Sequence, residues 1–482
     1  MYRTLSLQRL TLLCLFFIAG SQLNAQTFEQ FITRMNSLPQ NQRQAVADSF
    51  MNAGHAFPYI EYDTLVHFVY NATAQSVSLA GDATGWNPNQ PFTNTPGTTF
   101  WHLTTHYEQD ARLDYKYVIN GSNWILDPRN PRTCTGGFGP NSELRMPGYM
   151  LPPEISYYGI IPHGTIKDTT FQSSVLGNSR QVRVYLPPGY PDERETYPVI
   201  LFHDGLDYIN LGNAGNILDY LISEHLMTPV IGIFVPAVDR SAEYAGSKID
   251  KFTTFITSEL MPVMDAKYKT SKDPARRAMA GASDGGNISL YIGMKHPEQF
   301  GKIAAQSSNV ITSISQTFSN GPKLNLELYL DIGTYDIAML IPMVHNLCGI
   351  LHTKGYNYQC HDWHEGHSWG NWKGHLKLPL MQFFPWSSGL NENPVGPGIK
   401  LEQNRPNPFY GFTVIPFYAK RGATVKLTVE DLSGKVIETL FSGVVSKSEN
   451  SVEYRHKYPA GQYILTLKDN EMNSESLIIS AL

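Results

Sequence analysis

Ser283 stands between glycines in Gly281-Ala282-Ser283-Asp284-Gly285, and an acid and a histidine follow it in an order that suits acyl transfer. A serine hydroxyl is a poor nucleophile unless a tight turn holds it exposed beside a base. Flanking glycines permit that turn by removing side chains that would strike the neighbouring strand and helix. The chemistry also needs a base, an acid to orient it, and two backbone N–H groups for the oxyanion. Leu328-Tyr329-Leu330-Asp331-Ile332-Gly333-Thr334-Tyr335-Asp336 reads as a strand running into a polar loop. Glu365-Gly366-His367-Ser368-Trp369 then sets a histidine after a glycine on a later loop. The order serine, acid, histidine is the one such an elbow requires. It assigns Ser283 as nucleophile, His367 as general base and then acid, and Asp336 as the orienting acid, with Asp331 at the strand end as its rival. One oxyanion donor is the N–H of Asp284, after the nucleophile. The other falls on Gly205 or Leu206, in the turn after the apolar run 199–202. No cofactor is called for. His361, His364, His367 and His375 crowd one segment, but His364-Glu365-Gly366-His367 is one residue short of the helical H-E-x-x-H motif, and its glycine disfavours a helix. No metal site is therefore expected.

The elements needed to hold these groups are legible around them. Residues 277–280 form a short apolar strand before the elbow, and 287–292 continue with a helix-compatible pattern. Strands are expected at 182–186, 199–202, 230–235, 278–281, 303–305 and 328–330. An amphipathic helix is expected over 252–268, with Phe252, Phe255, Ile256 and Leu260 on one face. Such alternation means a mostly parallel sheet with helices on both sides, spanning 151–386. Before it, residues 26–60 read as a helical lead-in, with Phe28, Phe31, Ile32 and Met35, then Ala45, Val46 and Phe50, at helical spacing. From 61 to 150 the period switches to short strands, such as 66–70, 76–79 and 113–118, as in a small β-sandwich. A Ser/Gly/Asn/Pro-rich linker covers 387–400, and 401–482 return to short strands, including 424–429 and 463–467, forming a second sandwich.

Composition narrows the rest. The 482 residues carry a net charge of −5 with only 16% charged and 12% aromatic residues, which gives no electrostatic footprint for nucleic acid. Arg3 and Arg9, the apolar run 10–19 and Leu23-Asn24-Ala25 read as a signal peptide over 1–25, cleaved before Gln26. No later segment reads as transmembrane. Cys134, Cys348 and Cys360 remain in the exported chain, an odd number without zinc spacing. Cys348 and Cys360 are either a bridge or two buried thiols.

Residues 160–385 resemble the esterase D-like α/β hydrolases, which include the feruloyl and acetyl-xylan esterases of carbohydrate esterase family 1 and the enterochelin esterases. The likeness is carried by Arg183-Val184-Tyr185-Leu186-Pro187-Pro188-Gly189-Tyr190, His203-Asp204-Gly205, Asp239-Arg240-Ser241-Ala242-Glu243-Tyr244 and Glu259-Leu260-Met261-Pro262 before Tyr268. The Ser283 elbow and Gly366-His367-Ser368-Trp369-Gly370-Asn371-Trp372 complete it. The resemblance implies a supporting ion pair between Arg240 and Glu243. Asp284 departs from the family, which often has an apolar residue or methionine there. Residues 61–150 resemble a family 48 carbohydrate-binding module of immunoglobulin-like (E-set) type, through 77–82, Gly85-Trp86-Asn87-Pro88, 115–121, Trp124, Asp127-Pro128 and Asn141-Ser142. That resemblance implies Trp86, Lys116 and Trp124 as candidate sugar-binding residues, rings stacking on sugar faces and the ammonium donating to hydroxyls. Residues 401–482 resemble the type IX secretion sorting domain of Bacteroidota, on 401–409, Asp431-Leu432-Ser433-Gly434-Lys435-Val436 and Ala460-Gly461-Gln462-Tyr463. That implies type IX secretion machinery as partner and a secreted or cell-surface location.

The fold class expected is thus an α/β hydrolase catalytic domain flanked by two small β-sandwich domains. The expected activity is a secreted serine carboxylic-ester hydrolase that deacylates plant polysaccharide as a feruloyl or acetyl-xylan esterase. Siderophore-ester hydrolysis and non-catalytic glycan binding at the cell surface are the competing readings.

Overall fold

Three strands at the centre of the molecule, Ile231–Val235, Val199–His203 and Arg277–Ala282, are buried at every position. Continuous apolar runs behave this way where a parallel sheet is covered on both faces. The computed structural model describes residues 26–386 and 399–482, other than 406, 408, 410, 471, 472 and 482. The expected signal peptide and positions 387–398 of the expected linker lie outside the described residues.

The central sheet runs in the order Thr165–Ser173, Asn178–Leu186, Ile231–Val235, Val199–His203, Arg277–Ala282, Lys302–Gln306, Glu327–Tyr335, Asn357–Gly366. Asn178–Leu186 is antiparallel to both neighbours, and every pair from Ile231–Val235 onward is parallel. Side chains alternate across the sheet. Val199 and Leu201 pack into one apolar core, Ile200 and Phe202 into the other. The parallel strands end on a common edge, and the loops leaving that edge carry Ser283, Asp336 and His367.

Some elements differ from expectation. The helix expected over 252–268 is built from Ile249–Thr254, a π-helical stretch Phe255–Leu260, and Met261–Lys267. Pro262 is the second residue of the last piece. It lacks an N–H and crowds the preceding turn, which accounts for the wider register before it. In the lead-in, Thr27 caps the helix Phe28–Ser37 through a capping box with Gln30. In the second helix, Gln40–Met51, Ala45 is exposed and Ala47 and Met51 take the inward positions instead.

The N-terminal strands form two antiparallel layers around Val66, Phe68, Leu79, Leu113, Tyr115 and Tyr117. One layer does not stop at the domain. Its strand Arg112–Ile119 pairs in parallel with Asn357–Gly366 at Glu365↔Arg112, so the layer and the central sheet form one 14-stranded sheet. At the other end of the chain, a three-stranded and a four-stranded sheet enclose a separate core that includes Ile415, Phe417, Leu427, Leu465 and Ile479. Cys348 and Cys360 form a disulfide, while Cys134 is a buried free thiol. Among the described residues, no helix is long and apolar enough to cross a membrane.

Candidate active site

The elbow is a backbone problem before it is a chemical one. Ser283 sits between Arg277–Ala282 and the helix Asp284–Lys295 with φ 58° and ψ −123°. A non-glycine residue there costs of order 1–3 kcal/mol and persists only where its surroundings over-determine it. Here the Ser283 N–H donates to the Gln306 carbonyl at 2.8 Å. Its own carbonyl accepts from Gly286, Asn287 and Asn309 at 3.0, 3.1 and 3.3 Å. The turn is tight enough that a Cβ on Gly281 would lie 2.1 Å from the Gly285 carbonyl oxygen. Gly281→Ala must therefore push backbone apart. It is expected to cost about 3 kcal/mol, read as a lowered midpoint in thermal or urea unfolding.

His367 follows Asn357–Gly366, and its Nδ1 lies 2.7 Å from Asp336 Oδ1. The Asp336 side chain is fully buried, and the same oxygen accepts from the Ile337 N–H at 2.7 Å. A carboxylate that takes both bonds leaves the proton on Nδ1 and the lone pair on Nε2, the tautomer a general base needs. The ring is braced edge-on by Trp372, 5.0 Å away. Asp331 is placed differently. It is buried in the sheet and accepts from Gln306, Ser307 and Tyr329 at 3.1–3.3 Å, and no hydrogen bond joins it to His367 among the described residues. Burial pushes its carboxyl up to about 6.

Asp284 is the first residue of the helix after Ser283. Gly205 and Leu206 open the helix Gly205–Asn210. The first N–H groups of a helix have no acceptor within it, so all three are available to an oxyanion. Gly205 is required where it stands, because a Cβ there would lie 2.3 Å from the backbone of Phe234 and Val235.

The expected Arg240–Glu243 pair does not form. Glu243 is fully buried and takes the fork of Arg180 at 3.0 and 3.2 Å. A carboxylate that deep needs a buried partner, whereas Arg240 is 41% exposed at the sheet edge. Arg240 instead bonds Asp204 at 2.8–3.0 Å, Asp284 at 3.1 Å and the Ala282 carbonyl at 3.2 Å. Asn309 donates to the other Asp284 oxygen at 3.0 Å. The unexpected acid beside the nucleophile is thus tied down, its charge shared with Asp204 across one guanidinium. Sequence reading missed Asp204 and Asn309 as partners of this group, since each lies on a different loop.

The candidate sugar-binding residues are spread out. Trp86 is half-buried and donates through Nε1 to Asp82 at 3.1 Å, and Asp82 accepts from the Asp114 N–H. Lys116 is half-buried, and Trp124, 43% exposed, lies opposite Val118. Trp86 is thus tied through Asp82 to the Asp114 end of the strand Arg112–Ile119, while Trp124 lies against Val118, four positions further along. The other histidines of the 361–375 segment have separate partners. His364 pairs with Asp110, and His375 bonds Glu365 at 2.7 Å while stacking on Trp363. Among the described residues, no group of three or more potential metal ligands comes together.

Residues 173–382 match the family model described as "Esterase: Putative esterase". Over 178 residues the chain is 33% identical to the uncharacterized protein YjcH of Bacillus subtilis (strain 168), covering 36% of this chain and 74% of YjcH. It is 34% identical over 215 residues to an endo-1,4-beta-xylanase/feruloyl esterase of Xylanibacter ruminicola, covering 42% of this chain but only 29% of that protein. The crystal structure of the enterobactin esterase FES from Shigella flexneri, in the presence of enterobactin, superposes with a TM-score of 0.59 at 22% identity. It covers 70% of this chain and 97% of the other, a likeness of fold.

Proposed function

Since the chain belongs to this esterase family and is a carboxylic ester hydrolase, we propose that it is an exported serine esterase that removes feruloyl or acetyl groups from plant polysaccharide. Ser283 attacks the ester carbonyl while His367 takes its proton through Nε2. The N–H of Asp284 and that of Gly205 or Leu206 hold the oxyanion, and Asp336 keeps His367 in the right tautomer. Protonated His367 then delivers its proton to the departing sugar oxygen. A water molecule repeats the sequence on the acyl-enzyme and frees the acid. The observation that carries this reading is the 2.7 Å Asp336–His367 bond on the edge where Ser283 is held at positive φ.

The substrate class rests on the feruloyl esterase relative, on the sugar-module resemblance of residues 61–150, with Trp86, Lys116 and Trp124 as its candidate contacts, and on two export signals, the leader 1–25 and the sorting domain 401–482. A siderophore esterase is the second reading, favoured by the match to nearly the whole of FES. The charge at the site weighs against it. Asp204 and Asp284 outnumber Arg240, and a ferric catecholate trilactone is itself anionic, so like charges would meet. Turnover of methyl ferulate and acetylated xylan is expected to exceed that of the ferric trilactone, and faster trilactone turnover would sink the polysaccharide reading. For export, intact-mass analysis of the secreted protein from its native type of host is expected to place the mature N-terminus at Gln26. Deletion of 401–482 is expected to leave activity trapped inside the outer membrane.

A further inference from the structure

We infer that Arg112, carried by the N-terminal sandwich, is a positioning residue for the histidine loop, so that the sandwich is a working part of the esterase site. This rests on His367 being the general base. Arg112 is 1% exposed and sits where the sandwich strand joins the central sheet. Two arms of its guanidinium are spent inside the sandwich, Nε on Glu143 and Nη2 on Asp114, both at 2.6 Å. The third crosses the joint, where Nη1 donates to Ser368 Oγ at 3.0 Å and lies 3.7 Å from Glu365 Oε2.

Glu365 and Ser368 bracket His367 in the chain, and Ser368 also caps the helix Trp369–His375. Gly370 lies flat on the guanidinium, since a Cβ there would be 1.9 Å from Arg112 Cζ. On the other flank Gly366 rests on Asp82, with 2.0 Å between a would-be Cβ and the Asp82 carboxyl carbon. Residues 365, 366, 368 and 370 are therefore all held by the sandwich, and His367 hangs between them. A planar fork with donors in three fixed directions does this and a lysine cannot. Displacing a catalytic group by about 1 Å costs on the order of 100-fold in rate.

The test uses the full chain and an aryl acetate. Arg112→Lys and Ser368→Ala are expected to lower kcat on the order of 10- to 100-fold with little change in KM, because neither side chain is assigned a substrate contact. In a His367→Ala background neither change is expected to lower the residual rate further, since both act through the ring already removed. A purely structural role would reduce activity in both backgrounds alike, and that outcome overturns the inference. So does a wild-type kcat in both variants. If Arg112→Lys fails to fold, Ser368→Ala is read beside Ser368→Thr: the hydroxyl serves both Arg112 and the cap of Trp369–His375, so the threonine is expected to keep kcat and the alanine to lose it, and only where His367 is present. His367→Ala with undiminished activity would instead fail the base assignment, a result distinct from either of these.

Discussion

Ser283→Ala is expected to lower kcat on an aryl acetate by about a million-fold, with His367→Ala close behind and the double variant no worse than either. The reasoning is chemical. Without the hydroxyl no acyl-enzyme forms, and without the base the hydroxyl is not a nucleophile at neutral pH, so each loss removes the same step. What survives is the contribution of the oxyanion donors and of binding, about 10³- to 10⁴-fold over water. Aryl phosphonate titration counts the wild-type sites, and circular dichroism with thermal melts confirms that the variants, which the phosphonate cannot label, are folded. Unchanged hydrolysis by Ser283→Ala would mean that the nucleophile, and with it the triad, is wrongly assigned.

The second large effect separates two aspartates. Asp336→Asn should keep the shape of the loop yet drop kcat about 10⁴-fold. An amide can donate to His367 Nδ1 and so favours the tautomer that protonates Nε2. Asp331→Asn should leave kcat within a few-fold, because its carboxyl meets Gln306, Ser307 and Tyr329 and not the histidine. Its signature is stability. The buried carboxyl titrates near 6 against 3.8 unfolded, so the folded state binds the extra proton between those values. Stability contributed by the neutral form is present below about 4 and is lost as pH rises through about 6, a change of about 3 kcal/mol. Urea melts of the wild type should show that fall, and melts of Asp331→Asn should lack it.

How much of this could be read from the chain depended on distance along it. The elbow, the apolar strand before it and the helix after it sit within twenty residues, and local sterics alone demand Gly281. The acid was legible as a loop directly after an apolar strand, and the histidine as a later loop opened by a glycine. Side-chain partners were harder. Arg240 was expected to find Glu243 three residues away, but burial decides such pairs, and the buried partner of Glu243, Arg180, lies 63 residues off. Arg112 meets Ser368 across 256 positions, and nothing in an Arg-Leu-Asp-Tyr run announces that. Two sheet strands gave no apolar signal. Thr165–Ser173 is an edge strand with most side chains exposed, and Asn357–Gly366 mixes exposed and half-buried positions until its last two residues.

The Cys348–Cys360 bond has a bearing on how this enzyme is made. It ties the helix Leu340–Thr353 to the strand that ends just before His367, and closing a loop of this size contributes about 3 kcal/mol in the chain-entropy account. Glutathione keeps such pairs open in a bacterial cytosol and oxidising compartments close them. Protein harvested from the cytosol of an expression host would carry two thiols where periplasmic material carries a tether. Two preparations of identical sequence would then differ in heat tolerance and in how firmly the His367 loop is held, a difference of redox history alone.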